Sequence, residues 1–241
     1  MNTQWNTLTL GDIVNQNTQA AQVFEAHGLD YCCGGRELLQ SVCERRGLDV
    51  NSIIEKLDAL PNDASPDVSQ WSTEFLIDYI VNTHHQYVRT MLPVISEHAV
   101  KVASRHGDSH PETVEVRDSF HQIRAELEAH MMKEEQILFP YIKRLVAVSQ
   151  ENASEDIQGL GSVRGPISVM EVEHENVGRV FGRIHDITND LTLPDDACTT
   201  YTLLYKELDE FERDLHMHIH LENNVLHPRA TQMEDALVDA A

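Results

Sequence analysis

The stretch LYKELDEFERDLHMHIHLENNVL, Leu204 to Leu226, decides the fold. Leu204, Leu208, Phe211, Leu215, His218, Glu222 and Leu226 follow one another at steps of 4, 3, 4, 3, 4 and 4, the spacing of one face of an α-helix. His218 and Glu222 are ionisable, yet they occupy the stripe that should face a core. A second segment repeats the arrangement with Ile123, Leu127, His130, Glu134, Ile137 and Tyr141, and a third carries Ile167, Met170, His174, Val177, Phe181 and Ile184. A fourth offers Val81, His85, Val88, Leu92 and Ile95. A stripe from Ile77 through Val81 to His84 fits as well, so spacing does not choose between His84 and His85.

Around these stripes the sequence divides into four long helical segments, at about 72–104, 111–148, 166–188 and 199–224, with ends read to ~2 to 4 residues. The separators contain Gly107, three glycines within 149–165, and Pro194, while Pro111 and Pro166 stand near helix starts, where proline is tolerated. Pro93 and Pro140 lie inside the patterns and predict kinks or local breaks. No strand-like alternation extends beyond a few residues. The expected fold is all-α, an up-down-up-down four-helix bundle over residues 71–230. Ahead of it, residues 1–60 read as a small helical module broken at Gly28, Gly34, Gly35 and Gly47, and 61–70, with Pro61 and Pro66, as a linker; residues 231–241 read as a C-terminal tail.

Lys and Arg number 18 against 40 Asp and Glu, a formal charge of -22, so the average surface repels phosphate backbones and anionic lipids. Nucleic acid and membrane are therefore not expected partners. No apolar run approaches the ~20 residues of a membrane-spanning helix, and the first residues lack the features of a secretion signal, which predicts residence in the cytoplasm. The four cysteines make no disulfide framework and read as thiols. Cys43 and Cys198 are expected to be ordinary buried ones. The adjacent Cys32 and Cys33, followed by two glycines, read either as structural or as functional, since a thiolate near a helix N-terminus has a lowered pKa.

With His85 chosen, the four stripe histidines stand 45, 44 and 44 residues apart, one per helix, and should converge on one level of the bundle. Burying imidazoles and carboxylates costs several kcal/mol per charge unless each is paired or bound. A metal centre meets that cost. His at i with Glu at i+4 on two helices, and one His on each of the other two, gives four imidazoles and two carboxylates. Two ions can share them, bridged by Glu134 and Glu222; the donor types suit iron, with manganese or zinc as alternatives. A lone buried His is usually a hydrogen-bonded core residue, but four in matching positions argue for ligands. His27, His98, His106, His110, His121, His185, His216, His220 and His227 read as surface or supporting residues. Glu135, Glu171, Glu173 and Glu175 read as mostly a solvated acidic face, with Glu173 a candidate for hydrogen bonding behind a ligand.

The motifs HMMKEEQILFP (His130 to Pro140), GPISVMEVEH (Gly165 to His174), HIHLENNVLHPRA (His218 to Ala230) and YCCGG (Tyr31 to Gly35) resemble those of the bacterial iron-sulfur cluster repair di-iron family. Its members join a small Cys-pair domain to a hemerythrin-like bundle. The resemblance implies a ligand set of His85, His130, Glu134, His174, His218 and Glu222 around an oxo-bridged centre of two non-haem irons, and favours His85 over His84. It further implies repair of clusters damaged by oxidative or nitrosative stress through donation of iron, with Cys32 and Cys33 as functional thiols. Nitric oxide reduction, or nitric oxide or oxygen sensing at the same irons, is the alternative. Damaged iron-sulfur proteins are the implied partners, nitric oxide or oxygen the small ligands, and a homodimer is allowed. Oxygen carriage is disfavoured, because carriers use a more histidine-rich set and lack the Cys module. His227 departs from the family, which often has Phe there, without touching a ligand.

Overall fold

The computed structural model describes residues 5–61, 67–151 and 161–239. Among them the chain is all-α and no helix is long and apolar enough to cross a membrane. It forms a small N-terminal helical domain and a four-helix bundle, and by contact density it divides into two compact units.

One unit comprises Asp78–Arg144 and Leu160–Leu215. It contains α6 (Gln86–His106), α7 (Glu112–Lys133), α9 (Arg164–Thr188) and most of α10 (Thr199–Leu221). Its core is the set of stripes read from the sequence: Ile95, Ile123, Ile184, Leu208 and Phe211 are fully buried. Phe211 on α10 joins the four helices, its ring centroid lying 6.2 Å from Tyr87 on α6, 5.7 Å from Phe120 on α7 and 6.3 Å from Phe181 on α9. Toward one end, His185 Nε2 meets Glu212 Oε2 at 2.6 Å; that hydrogen bond outweighs burial and holds the His185 imidazole above its ordinary pKa.

The other unit comprises Met1–Ile77, Leu145–Gly159 and His216–Ala241. It holds α1 (Leu10–Gln16), α2 (Ala20–Glu25), α3 (Leu39–Arg46), α4 (Val50–Asp58) and α11 (His227–Asp239). Thr9 and Asp12 form a capping box on α1, Asp49 caps α4, and Gly47 ends α3 at φ 67°, a conformation that costs glycine little. Part of the expected linker, 62–66, lies outside the described residues. Within 67–70, Val68–Gln70 forms a 3₁₀ turn whose Val68 and Ser69 carbonyls, with that of Trp71, accept hydrogen bonds from Arg229. The fourth helical segment does not end near Asn224. It continues through α11 into the expected tail, where Glu234 and Leu237 are buried.

The main departure from the sequence reading is a set of π turns. Gln86 N–H reaches Val81 O, Phe139 N–H reaches Glu134 O, and His227 N–H reaches Glu222 O, each one residue longer than the α-helical bond. They interrupt the helix between α5 (Thr73–Tyr79) and α6, between α7 and α8 (Phe139–Glu151), and between α10 and α11. The extra residue moves the buried stripe along by one. Leu138 and Ile142 therefore occupy the core, whereas the expected Ile137 is 59% exposed and Tyr141 half-buried. In the first helix the same device buries both His84 and His85. Pro140 and Pro228 directly follow the residues that close two of these turns, and having no N–H they do not extend the ladder. Pro93, by contrast, sits in an unbroken α6.

Phe211→Ala should cost about 3–5 kcal/mol, since it removes a ring shared by four helices; the urea midpoint measures it. A raised imidazole pKa stabilises the fold fully below the ordinary histidine value, and this contribution is lost as pH rises through the raised one. Glu212→Gln should therefore lower stability by under about 1 kcal/mol at pH 6 and by less at pH 9, read from urea titrations at both values.

Candidate metal centre

His130 and Glu134 stand one turn apart, the first on α7 and the second opening the π turn, so both project to the same side. His130 Nε2 lies 3.3 Å from Glu134 Oε1, and His85 Nε2 lies 3.3 Å from Glu134 Oε2. His174, near the middle of α9, brings its Nε2 to 3.0 Å from His130 Nε2. His218 and Glu222 repeat the His130–Glu134 pairing at 3.1 Å. All six are buried, and Glu134 and Glu222 have 0% exposure. His85, His130, Glu134 and His174 gather in the unit of Asp78–Arg144 and Leu160–Leu215, and His218 and Glu222 pair in the other; all six offer metal-donor atoms.

Behind the ligands stand carboxylates. Glu135 Oε1 is 2.6 Å from His85 Nδ1 and 2.7 Å from Arg89 Nη2. Glu173 Oε2 is 2.9 Å from His130 Nδ1 and its other oxygen is held by Lys133. Burial pushes both carboxyls up, but the hydrogen bonds from these histidines and cations prevail and hold them below the usual carboxylate range. An ionised Glu135 or Glu173 fixes the Nδ1–H tautomer, which leaves the Nε2 lone pair pointing inward. There it faces a carboxylate oxygen or a second imidazole nitrogen. Acceptor against acceptor at 3.3 Å, as for neutral His85 and His130 facing Glu134, is repulsive unless a proton or a metal ion lies between them. Two donors at about 2.1 Å from a first-row ion are themselves about 3.0–3.4 Å apart, so the donor set fits a metal. Phe139 stacks on the His85 ring at 5.7 Å and 19°, shielding its face.

His84, the other candidate of its pair, takes a different partner. Its Nδ1 lies 3.0 Å from Asp214 Oδ1 and its ring packs edge-on against Tyr79. Glu173 plays the supporting part expected of it; Glu135 was read as solvated and instead holds His85, a role visible only once the π turn is known. Three histidines read as surface or supporting residues are buried: His106, His220 and His227. His220 Nε2 donates to Asn15 Oδ1 at 3.0 Å, and burial pushes its imidazole pKa down to about 4, which keeps it neutral.

Cys32 and Cys33 lie in a turn between α2 and α3, Cys32 buried and Cys33 exposed. Asn224 Nδ2, two residues beyond Glu222, donates to the carbonyls of Tyr31 and Cys32 at 3.1 and 2.9 Å. A Cβ on Gly35 would come 2.4 Å from Tyr31 O and 2.5 Å from Asn224 Oδ1, so the second glycine is required by close approach. The Cys32 thiol is not the low-pKa group a helix N-terminus would give: its hydrogen bond with Cys33, burial and Asp30 all push it up. Cys43 is buried as expected, but Cys198 is half-exposed and lies 3.2 Å from His106 Nε2.

Residues 76–230 match the model of the hemerythrin HHE cation binding domain, and 7–61 match a domain of unknown function, DUF542. The iron-sulfur cluster repair protein YtfE of Enterobacter sp. (strain 638) is 39% identical over 225 residues, covering 92% of this chain and 95% of that protein. The protein of the same name from Dickeya chrysanthemi is 38% identical over 229 residues, covering 94% and 97%. That from Escherichia coli O1:K1 is 38% identical over 225 residues, covering 92% and 95%.

Glu135→Gln and Glu173→Gln should each lower metal affinity about 10–100-fold while leaving helix content unchanged, as measured by equilibrium competition with a chelator and by circular dichroism.

Proposed function

Because this chain belongs to the hemerythrin HHE cation binding family and to the iron-sulfur cluster repair proteins within it, we propose that it repairs damaged clusters by supplying iron from a two-iron centre. His85, His130, His174 and His218 would hold the irons together with Glu134 and Glu222. Cytoplasmic iron-sulfur proteins damaged by oxidative or nitrosative stress are the recipients. The observation that carries this reading is the set of buried imidazoles and carboxylates, with Glu135 and Glu173 orienting His85 and His130. When bound, two irons on such donors supply redox chemistry and open positions for small ligands.

The chain's own part is to bind and to release. Nitrogen and oxygen donors hold ferrous iron less tightly than the later metals of the first row, which suits a cargo. Protonation or displacement of Glu134 or Glu222 would remove a donor and so loosen iron held there. Glu135 and Glu173 keep Nε2 of His85 and His130 available for the next ion. Phe139, against the His85 ring, limits solvent at that side.

Metal analysis with absorption spectra of wild type, His130→Ala and Glu222→Ala tests the centre. About two irons per chain in wild type, lost in both variants, is the expected result. Iron-loaded wild type should reactivate a cluster-depleted dehydratase, and His130→Ala should not; equal reactivation by the two would refute iron supply from this centre.

A further inference from the structure

The Cys32–Cys33 turn holds a second group of donors, built entirely from the N-terminal domain. Asp30, Cys32 and Cys33 bring a carboxylate oxygen and two sulfurs within 4.8 Å of one another. Cys32 Sγ lies 3.2 Å from Asp30 Oδ1 and 3.9 Å from Cys33 Sγ. The sulfurs are far from disulfide distance, which is about 2.05 Å. Their separation is instead that of two thiolates on one tetrahedral ion, about 3.8 Å for metal–sulfur bonds near 2.3 Å.

The turn is fixed before any ion arrives. Asp30 Oδ1 accepts the backbone N–H groups of Cys32 and Cys33 at 3.1 and 2.9 Å, and Asn224 holds the carbonyls of Tyr31 and Cys32. Gly11 N–H donates to Gly35 O at 2.8 Å. Two sulfurs and a carboxylate oxygen are thus preassembled in one small space, and a divalent cation binding there would take the place of the thiol protons.

The geometry points to Asp30, Cys32 and Cys33 as a mononuclear site for a thiophilic divalent cation of the zinc and ferrous-iron class. Binding forms two metal–sulfur bonds and one metal–oxygen bond, releases the two thiol protons to solvent and changes no oxidation state. The protein supplies three donors, and Cys33 is exposed, so a fourth position faces outward for water or a donor from another molecule. Such an open site exchanges its ion, unlike a closed structural one. The site goes beyond the bundle centre and does not need it.

Cadmium is a suitable probe because its thiolate charge-transfer absorption reports sulfur ligands only, and the bundle donors contain no sulfur. Titration of the full iron-loaded chain under reducing conditions should give a band saturating at one cadmium per chain and erased by excess zinc. Cys33→Ser should abolish the band; its exposed position makes it a safe substitution. Asp30→Asn should weaken binding at least about tenfold, the loss expected even for a residue one step removed from a metal. Cys43→Ser with Cys198→Ser should leave the band unchanged. His130→Ala should keep it while losing bundle iron, which separates this site from the bundle reading. Absence of a band, an unaltered band in Cys33→Ser, a band that needs Cys43 or Cys198, or one lost in His130→Ala would overturn the assignment.

Discussion

Two carboxylates with no solvent exposure, Glu134 and Glu222, are set among imidazoles inside a helical bundle. An uncompensated charge in such a place costs several kcal/mol, and positive charge among the imidazoles, carried by protons or by a bound cation, offsets it. Hydrogen bonds to Glu135 and Glu173 orient two of the histidines. In the neutral rings these bonds leave Nε2 with no hydrogen to offer Glu134, so this carboxylate is met either by an imidazolium proton or by a metal ion. The apolar residues before the ligands, Leu127 and Leu215, and after them, Leu138 and Leu226, are buried and leave no polar alternative along the stripe. Stability and binding are thereby coupled: what makes this level of the core unfavourable when vacant is what makes it bind.

The π turns belong to the same constraint. An α-helix returns to one face every 3.6 residues, and a ligand pair at i and i+4 uses almost all of one turn. Adding a residue immediately after Glu134 and Glu222 lets each glutamate stay on the ligand face while the following leucine returns to the core. The repeated sequence from ligand glutamate to proline, EEQILFP and ENNVLHP, is the local record of this device in two helices.

Much of this was legible in the sequence because burial in a bundle obeys simple periodicity. The stripes on α9 and α10 are buried residue for residue, and His130, Glu134, His174, His218 and Glu222 stand in the stripes where periodicity put them. Periodicity failed where the helix itself changed pitch. Ile137 and Tyr141 fall off the core face after the π turn, Glu135 turns from solvent to His85, and His84 and His85 are both buried. The family resemblance favoured His85, whereas the geometry gives the physical distinction, Glu134 for His85 and Asp214 for His84. His220 reads only as a surface or supporting residue, and Asn224 carries no signal, because their partners, Asn15, Tyr31 and Cys32, lie some 190 to 205 residues earlier, a distance no local pattern spans.

That long-range contact has an evolutionary reading. A Cβ on Gly11 would meet Gly35 O at 3.0 Å and the Asn224 side chain at 3.1 Å, and one on Gly35 would meet Asn224 still more closely. Positions 11, 35 and 224 therefore form one packing unit. Gly35 is held by the Tyr31 carbonyl whatever stands at 224, a larger residue at 11 demands a smaller one at 224, and losing the Asn224 amide strands two carbonyls of the Cys turn. Substitutions at 11 and 224 should appear in descendants together or not at all. An N-terminal domain exchanged between relatives would keep its cysteines in place only if residue 224 travelled with it.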